Sequence, residues 1–480
     1  MKAHNSMMQC LLHSLVPLLL SLNASAQADY YVGETIELNT IGNQSADHAA
    51  IAVNRFGDVI VVNHTGVHAT AKAVELNALA PLGDFKSSGF KLFNTRRLAD
   101  PTLNIFGVGN DSCSKPDVES LGDGSFLVVW ARHDLSGDQL SRIEVCKIIT
   151  RNIYGSLLPQ VQIITPRTGE GFVLDDTSKS GDAGFMPDIA SYKGNSATKA
   201  IVVFAHEKST FSSLTNTFRD YDLLGKKIQW PRGSSSPNLG PLVTLETNIT
   251  FDNVNTSPYA GGLVLPDAVI DDAGALTIAY ESYLISPHWL HFGPPKGSIQ
   301  LRRYSQADLS LLDEVEFTGH GVERHQRRPM VATSNKDADN MLILGWNEVD
   351  ASNSVVPRSH FRAITFNEIT SGYSAPQVIP WDESFGNRDD LATVAMSAQA
   401  SLIMTSRTLP NRKSLNGAFK SNQQPATTRD FAPQSDHPWR PAMAIHDLPD
   451  SRSICYISFE GPSNNNPSLD KIHLTIQRLR

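Results

Sequence analysis

The sequence predicts an all-β chain built from repeats of one antiparallel unit. Three observations carry the prediction. The apolar runs are short and are broken by turns rich in Gly and Pro, of which there are 32 and 27, a pattern of many short strands. One hairpin phrase recurs seven times along the chain. A lone strand near the N-terminus also resembles a strand that ends the first unit.

The first hairpin is "DHAAIAVNRFGDVIVVNHTG", Asp47 to Gly66. The others are "KPDVESLGDGSFLVVW" from Lys115, "MPDIASYKGNSATKAIVVFAH" from Met186 and "LPDAVIDDAGALTIAYE" from Leu265. "RPMVATSNKDADNMLILGW" follows from Arg328, "LATVAMSAQASLIMTSR" from Leu391 and "RPAMAIHDLPDSRSICYISF" from Arg440. In each, a Pro or small residue opens an alternating strand. A turn of Gly, Asp, Asn or Ser follows, and a β-branched or aromatic strand returns.

The hairpins start roughly 50 to 80 residues apart, which leaves room for two more strands per unit. Such strands are visible in "SRIEVCKIIT" and "LPQVQIIT" after the second hairpin, and in "SIQLRRYS" and "DEVEFTGH" after the fourth. In the sixth unit "SNQQPATTRDFAPQSDHP", Ser421 to Pro438, reads as loop. Four-stranded units in this number predict a seven-bladed β-propeller, with six or eight blades as alternatives and a solenoid disfavoured by the long, uneven steps. After the last hairpin only "DKIHLTIQRLR" remains, enough for a third strand. "GETIELNT", Gly33 to Thr40, resembles "FKLFNT", Phe90 to Thr95, the expected fourth strand of the first unit. The N-terminal strand is therefore expected to complete the last blade and close the ring, removing an exposed edge.

Residues 1–28 read as an export signal, with Lys2, the apolar run Leu11 to Leu22 and the small residues Ala24 to Ala26 in order. Residues 29–480 are then expected to form one propeller domain, secreted or periplasmic, with no membrane span and as a monomer. Beyond the signal, Cys113, Cys146 and Cys455 remain. A Cys113–Cys146 bridge and three buried thiols are both open readings. A net charge of −8 argues against nucleic acid as a partner.

In a propeller the first strand of each blade lines the channel and the second runs back beside it. Residues before strand one and after strand two therefore converge at one channel mouth. His48 and His64 flank the first hairpin in this way. The other hairpins contribute Lys115, Met186, Leu265, Arg328 and Arg440 before strand one, and Arg132, His133, His206, Tyr280, Trp346 and Arg407 after strand two. Cations outnumber the carboxylates Glu281, Glu348 and Glu460 on this inferred face. A basic, aromatic-lined funnel suits an acidic polysaccharide or other anionic glycan. Asp117, Asp188 and Asp267 share the phrase Pro-Asp-apolar in three consecutive units. A repeated role of that kind predicts carboxylates that bind backbone N–H groups between blades rather than a channel metal. "NKDADN", Asn335 to Asn340, lacks the Gly and distal Glu of a Ca²⁺ loop and reads as a turn. No cofactor and no metal site is expected.

Two propeller families share features with this chain. It resembles sialidases in its blade grammar and basic cluster, but it has none of their Asp-box turns, and "RRP" at Arg327 to Pro329 is not their arginine motif. It also resembles propeller polysaccharide lyases such as ulvan lyases, which have seven blades, an export signal and a His pair across one hairpin. That resemblance implies catalytic roles for His48, His64 and Arg132, while the funnel inferred from the repeats supplies the expected substrate-binding face of Lys115, His133, His206, Tyr280, Arg328, Trp346, Arg407 and Arg440. The implied chemistry is β-elimination at a uronic acid. A nearby Arg neutralises the carboxylate, a neutral His removes the C5 proton, and a second His or a Tyr protonates the departing O4. A tyrosine used by that family has no clear counterpart, Tyr280 and Tyr283 lying a blade further on. A non-catalytic glycan- or protein-binding propeller and a glycoside hydrolase are the competing expectations.

Overall fold

The computed structural model describes residues 33–66, 71–82, 89–107, 111–134, 141–176, 183–192, 194, 197–212, 217–252, 266–271, 274–284, 296–317, 324–333, 341–350, 359–367, 379–380, 389–408, 413–421, 427–430, 439–449 and 452–479. Residues 1–28, expected to be an export signal, and Asn335 to Asn340, expected to be a turn, lie outside them. Among the described residues the structure is all-β, with two short 3₁₀ turns and no α-helix. No helix there is long and apolar enough to cross a membrane.

Among the described residues the strands form seven antiparallel sheets, six of them following the order of the chain. The first contains Ala46–Val53, Val59–Gly66, Lys72–Pro81 and Phe90–Leu92, with Arg96–Ala99 also on its third strand. The second contains Asp111–Ser120, Phe126–Asp134, Ser141–Arg151 and Leu157–Ile164, with Phe172–Asp176 added in the same way. Sheets three to six begin with Ala183–Ser191, Asp267–Ile270, Arg324–Thr333 and Asp389–Met396. The seventh holds Trp439–Asp447, Ser453–Pro462 and Asp470–Leu479. Its fourth strand is N-terminal: Thr35–Glu37 pairs Thr35 with Thr475 and Glu37 with His473. The extra strands expected after the second and fourth hairpins are in place. The loop reading of the sixth unit needs one correction. Thr427–Asp430 is a fourth strand, a short edge pairing with Asn416 to Phe419.

The core lies in the seams between sheets. Ile60, Val62, Val74 and Leu76 of the first sheet pack with Val118, Phe126, Val128 and Trp130 of the second. On its other face Val59, Val61 and Leu79 pack with Ile36, Tyr456 and Leu474 of the seventh. The alternation of the sequence thus feeds two seams per sheet, and each fully buried Val or Leu contributes roughly 1.5–3 kcal/mol. Cys113 and Cys146 sit in the first seam as free buried thiols, as Cys455 does in another, so the bridge is not formed. Burial pushes the Cys113 thiol up to about 12.

The first strand of each sheet packs against the first strand of the next, and that of the seventh against that of the first. All seven line one channel of about 600 Å³. Three carboxylates tie neighbours together across it. Asp117 accepts from the Ile189 N–H at 2.9 Å, Asp188 from the Ala268 N–H at 2.6 Å and Asp267 from the Val331 N–H at 2.7 Å. The repeated Pro-Asp-apolar phrase is thus an inter-sheet bond, as expected.

Candidate functional site

Five of the seven first strands share a second feature that positions side chains. In five sheets a bulge near the start of that strand sets two residues against one. The two are His48-Ala49, Lys115-Pro116, Met186-Pro187, Arg328-Pro329 and Arg440-Pro441. In four of the five the second residue is Pro, which lacks the N–H that a ladder needs, so the pairing skips it; in the first it is Ala49. The preceding residue is thrown out of the extended conformation. His48, Lys115 and Met186 have φ of 49, 47 and 49°. Left-handed backbone costs about 1–3 kcal/mol for a side chain other than Gly, and such strain persists where the surroundings enforce it. For His48 the enforcing group is Glu460 of the seventh sheet, whose Oε1 accepts the His48 N–H at 2.7 Å.

The first sheet departs from the others opposite its bulge. The residue facing the bulge is Trp130, Phe204, Trp346 and Phe459 in four sheets, and Asn63 in the first. Next to Asn63 stands His64, in register with Asp47. Four polar side chains converge there. His48 Nδ1 lies 3.1 Å from His64 Nε2, with ring centroids 4.7 Å apart. Lys72 opens the third strand opposite Gly66, and its Nζ is 3.2 Å from both His64 Nε2 and Asp47 Oδ2. Asp47 Oδ1 contacts His64 Nε2 directly, and Asp47 Oδ2 is 3.8 Å from His48 Nδ1. His64 is buried, whereas His48 and Asp47 side chains are each 34% exposed.

Burial drives the electrostatics of this cluster. It pushes the His64 imidazole down to about 4, with Lys72 and His48 adding to the effect against the opposing Asp47. His64 is therefore neutral near neutral pH. Burial alone would raise the Asp47 carboxyl. Its bonds to His48 and His64 and the nearby charges of His64 and Lys72 prevail, holding it well below the usual carboxylate range. His64 Nδ1 is buried with no hydrogen-bond partner among the described residues, so every polar contact of the ring is made through Nε2. The result is one partly exposed imidazole backed by a neutral imidazole, an ionised carboxylate and an ammonium.

The structure separates the third expected catalytic residue from this pair. Arg132 is fully buried in the seam between the first two sheets. It bonds Glu144 at 2.8 and 3.3 Å, Asp111 at 3.3 Å and the carbonyls of Asp100 and Gly169 at 2.9 and 2.7 Å. These five bonds match its five N–H donors, so it does not face the funnel. Arg132 lies within the second strand, Phe126–Asp134, rather than after it, and pairs there with Cys113.

The remaining candidates divide. Lys115 sits on its bulge with Nζ 3.3 Å from Met186 Sδ. His133 Nε2 is 2.9 Å from Ser114 Oγ, and burial, then Lys115, pushes its pKa down to about 4. His206 pairs in register with Gly184 at the start of the third sheet. Tyr280 and Trp346 correct the expectation of an aromatic funnel. Tyr280 is buried in a seam and accepts from Arg302 Nε at 2.8 Å. Trp346 is buried against Phe317. Both rings are too large and apolar to stay at the rim when a seam can bury them. Arg328, Arg407 and Arg440 lie in strands, with side chains outside the described residues, as is Glu348. Sequence reasoning missed Asp47 and Lys72. Asp47 adjoins His48, and Lys72 opens the strand that returns to the same mouth.

No family model matches this chain, and no curated protein does. Solved structures do resemble it. A Penicillium chrysogenum α-L-arabinanase complexed with arabinobiose is 9% identical with a TM-score of 0.43, over 94% of this chain and 98% of that one. The polysaccharide lyase Uly1 is 11% identical with a TM-score of 0.44, over 95% and 93%. The endosialidase of phage phi92 is 10% identical with a TM-score of 0.39, over 94% and 70%. All three are propeller-type folds.

Proposed function

We propose that this chain is an exported, monomeric seven-bladed β-propeller, with residues 29–480 as one domain, that acts on an acidic polysaccharide by β-elimination at a uronic acid. The observation that supports this is the first hairpin's mouth: a partly exposed His48 held at 3.1 Å to a buried neutral His64, with an ammonium and a carboxylate beside them. His48 turns Nδ1 inward, so the opposite ring edge carries Nε2, the atom proposed to take the C5 proton. The C5–H electron pair forms the C4–C5 double bond, and the C4–O4 bond breaks. The imidazolium of His48 returns the proton to the departing O4, with Asp47 offsetting its charge. Lys72 exchanges its bond to Asp47 for one to the uronate carboxylate, where negative charge accumulates. His64 and Asp47 are positioning residues. Arg132 has no part in this reading.

The test is an absorbance assay for unsaturated uronyl ends with ulvan, alginate, pectate and glycosaminoglycans. Activity on one polymer, lost in His48→Ala, supports the reading. A flat trace on every polymer, with glycan-array binding retained, replaces it with a non-catalytic propeller.

A further inference from the structure

We infer that Asp47, His48 and His64 form a binding site for a divalent cation of zinc-like chemistry, with Lys72 as its built-in competitor. The inference does not depend on the glycan reading. One donor atom from each of the three residues lies within 4.8 Å of the others. Tetrahedral zinc with bonds of about 2.0–2.1 Å needs donors about 3.4 Å apart. The His48 Nδ1–His64 Nε2 separation of 3.1 Å and the His48 Nδ1–Asp47 Oδ2 separation of 3.8 Å bracket that value. Two imidazoles and one carboxylate are a donor set suited to borderline metals, and a mismatch to hard Mg²⁺ or Ca²⁺, which take mostly oxygen.

Two further observations support a ligand at this point. His64 is buried and presents all its contacts through Nε2, the atom aimed into the cluster, while Nδ1 has no hydrogen-bond partner among the described residues. A cation already sits there: the Lys72 ammonium is 3.2 Å from both His64 Nε2 and Asp47 Oδ2. A metal would displace it, and its side chain, 37% exposed, has room to leave. The partial exposure of Asp47 and His48 gives an entry path and an open fourth position. The bulge that strains His48 and the Glu460 bond that holds it fix the donor that a regular strand would turn away. Among the described residues nothing hydrogen-bonds His64 Nδ1 to orient the ring, so affinity should fall about 10–100-fold short of a site with such a partner.

The test is titration of tag-free protein with Zn²⁺ by calorimetry, and with Co²⁺ by visible absorption. The expected result is one site per chain, with tetrahedral cobalt bands displaced by Zn²⁺. His48→Ala, a partly exposed position that leaves the core intact, should abolish it, as should Asp47→Asn. Lys72→Met should tighten binding by about tenfold or more, since it removes the competing charge. Circular dichroism checks that each variant is folded. Absence of binding in the parent protein and in Lys72→Met overturns the inference. So does binding that survives both His48→Ala and Asp47→Asn. Because no polymer is present, these results stand or fall separately from the β-elimination assay.

Discussion

Lys72 and Arg132 show how position within a sheet decides what a cation can do. Lys72 stands at the mouth with its ammonium beside Asp47 and His64, whereas Arg132 spends its five donors on seam partners. Lys72→Met should therefore lower kcat/KM on a uronate polymer by at least about a hundredfold, chiefly through loss of carboxylate neutralisation. Melting curves should barely move. Arg132→Met should do the reverse at the level of the fold. It takes from Asp111 its ion-pair partner and from Glu144 one of two guanidinium partners, the other being Arg142, at a cost of about 3–5 kcal/mol in chemical denaturation. His64 gives a pH signature. Its folded pKa, about 4, lies below the ordinary His value of 6.5, so the unfolded chain binds the extra proton between them. Its contribution is complete above that ordinary value and is lost as pH falls toward the folded one. It amounts to up to about 3 kcal/mol, and His64→Gln should flatten that stretch of the stability–pH curve.

At the scale of the element, the bulge is what makes a strand end into a site. Glu460 of the seventh sheet holds the His48 N–H, so its loss should relax His48 without emptying the core. Glu460→Ala is expected to lower kcat more than it raises KM, while Glu460→Gln, which still offers an acceptor, restores most of the rate. The hairpins themselves were legible because Pro or a small residue, an alternating run and a Gly/Asp turn repeat in register along the chain. The convergence of His48 and His64 followed from that repeat. The seam was harder to foresee. A residue after strand two faces either the mouth or a neighbouring sheet, and Arg132, Tyr280 and Trp346 all turned inward where carboxylates or rings could receive them. Lys72 was missed because the third strand was not counted as part of the mouth. Asn63 was a readable signal: the first repeat alone among the five with this bulge lacks an aromatic residue opposite it.

At the scale of the whole molecule, the sheets are held by seams, by the carboxylates that bridge the channel and by the N-terminal strand. Removing residues 33–40 takes away Ile36 and Leu38, both buried, and bares the edge of the last sheet. The loss of their burial alone should cost roughly 3–6 kcal/mol. The channel carboxylates oppose His64 in sign. Burial, and then Glu119, raise Asp117 to about 6, burial is the main cause that raises Asp267 to about 7, and burial followed by the charges of Asp117 and Asp267 raises Asp188 well above the usual carboxylate range. Groups with raised folded pKa contribute stability that is complete below their unfolded values and lost as pH rises through the folded ones. The contribution of these carboxylates to the melting temperature should therefore fall as pH rises from about 4 to about 7, and Asp188→Asn, which mimics the protonated acid, should reduce that fall.

The central claim is that the mouth of the first hairpin is a reaction centre. The most direct measurement is the rate of formation of unsaturated uronyl ends on the polymer panel by the parent protein, His48→Ala and Lys72→Met, all verified as folded. The expected result is turnover of one uronate polymer by the parent, lowered by at least about a hundredfold in each variant. Turnover unchanged in His48→Ala, or no turnover of any polymer by the parent, would contradict it.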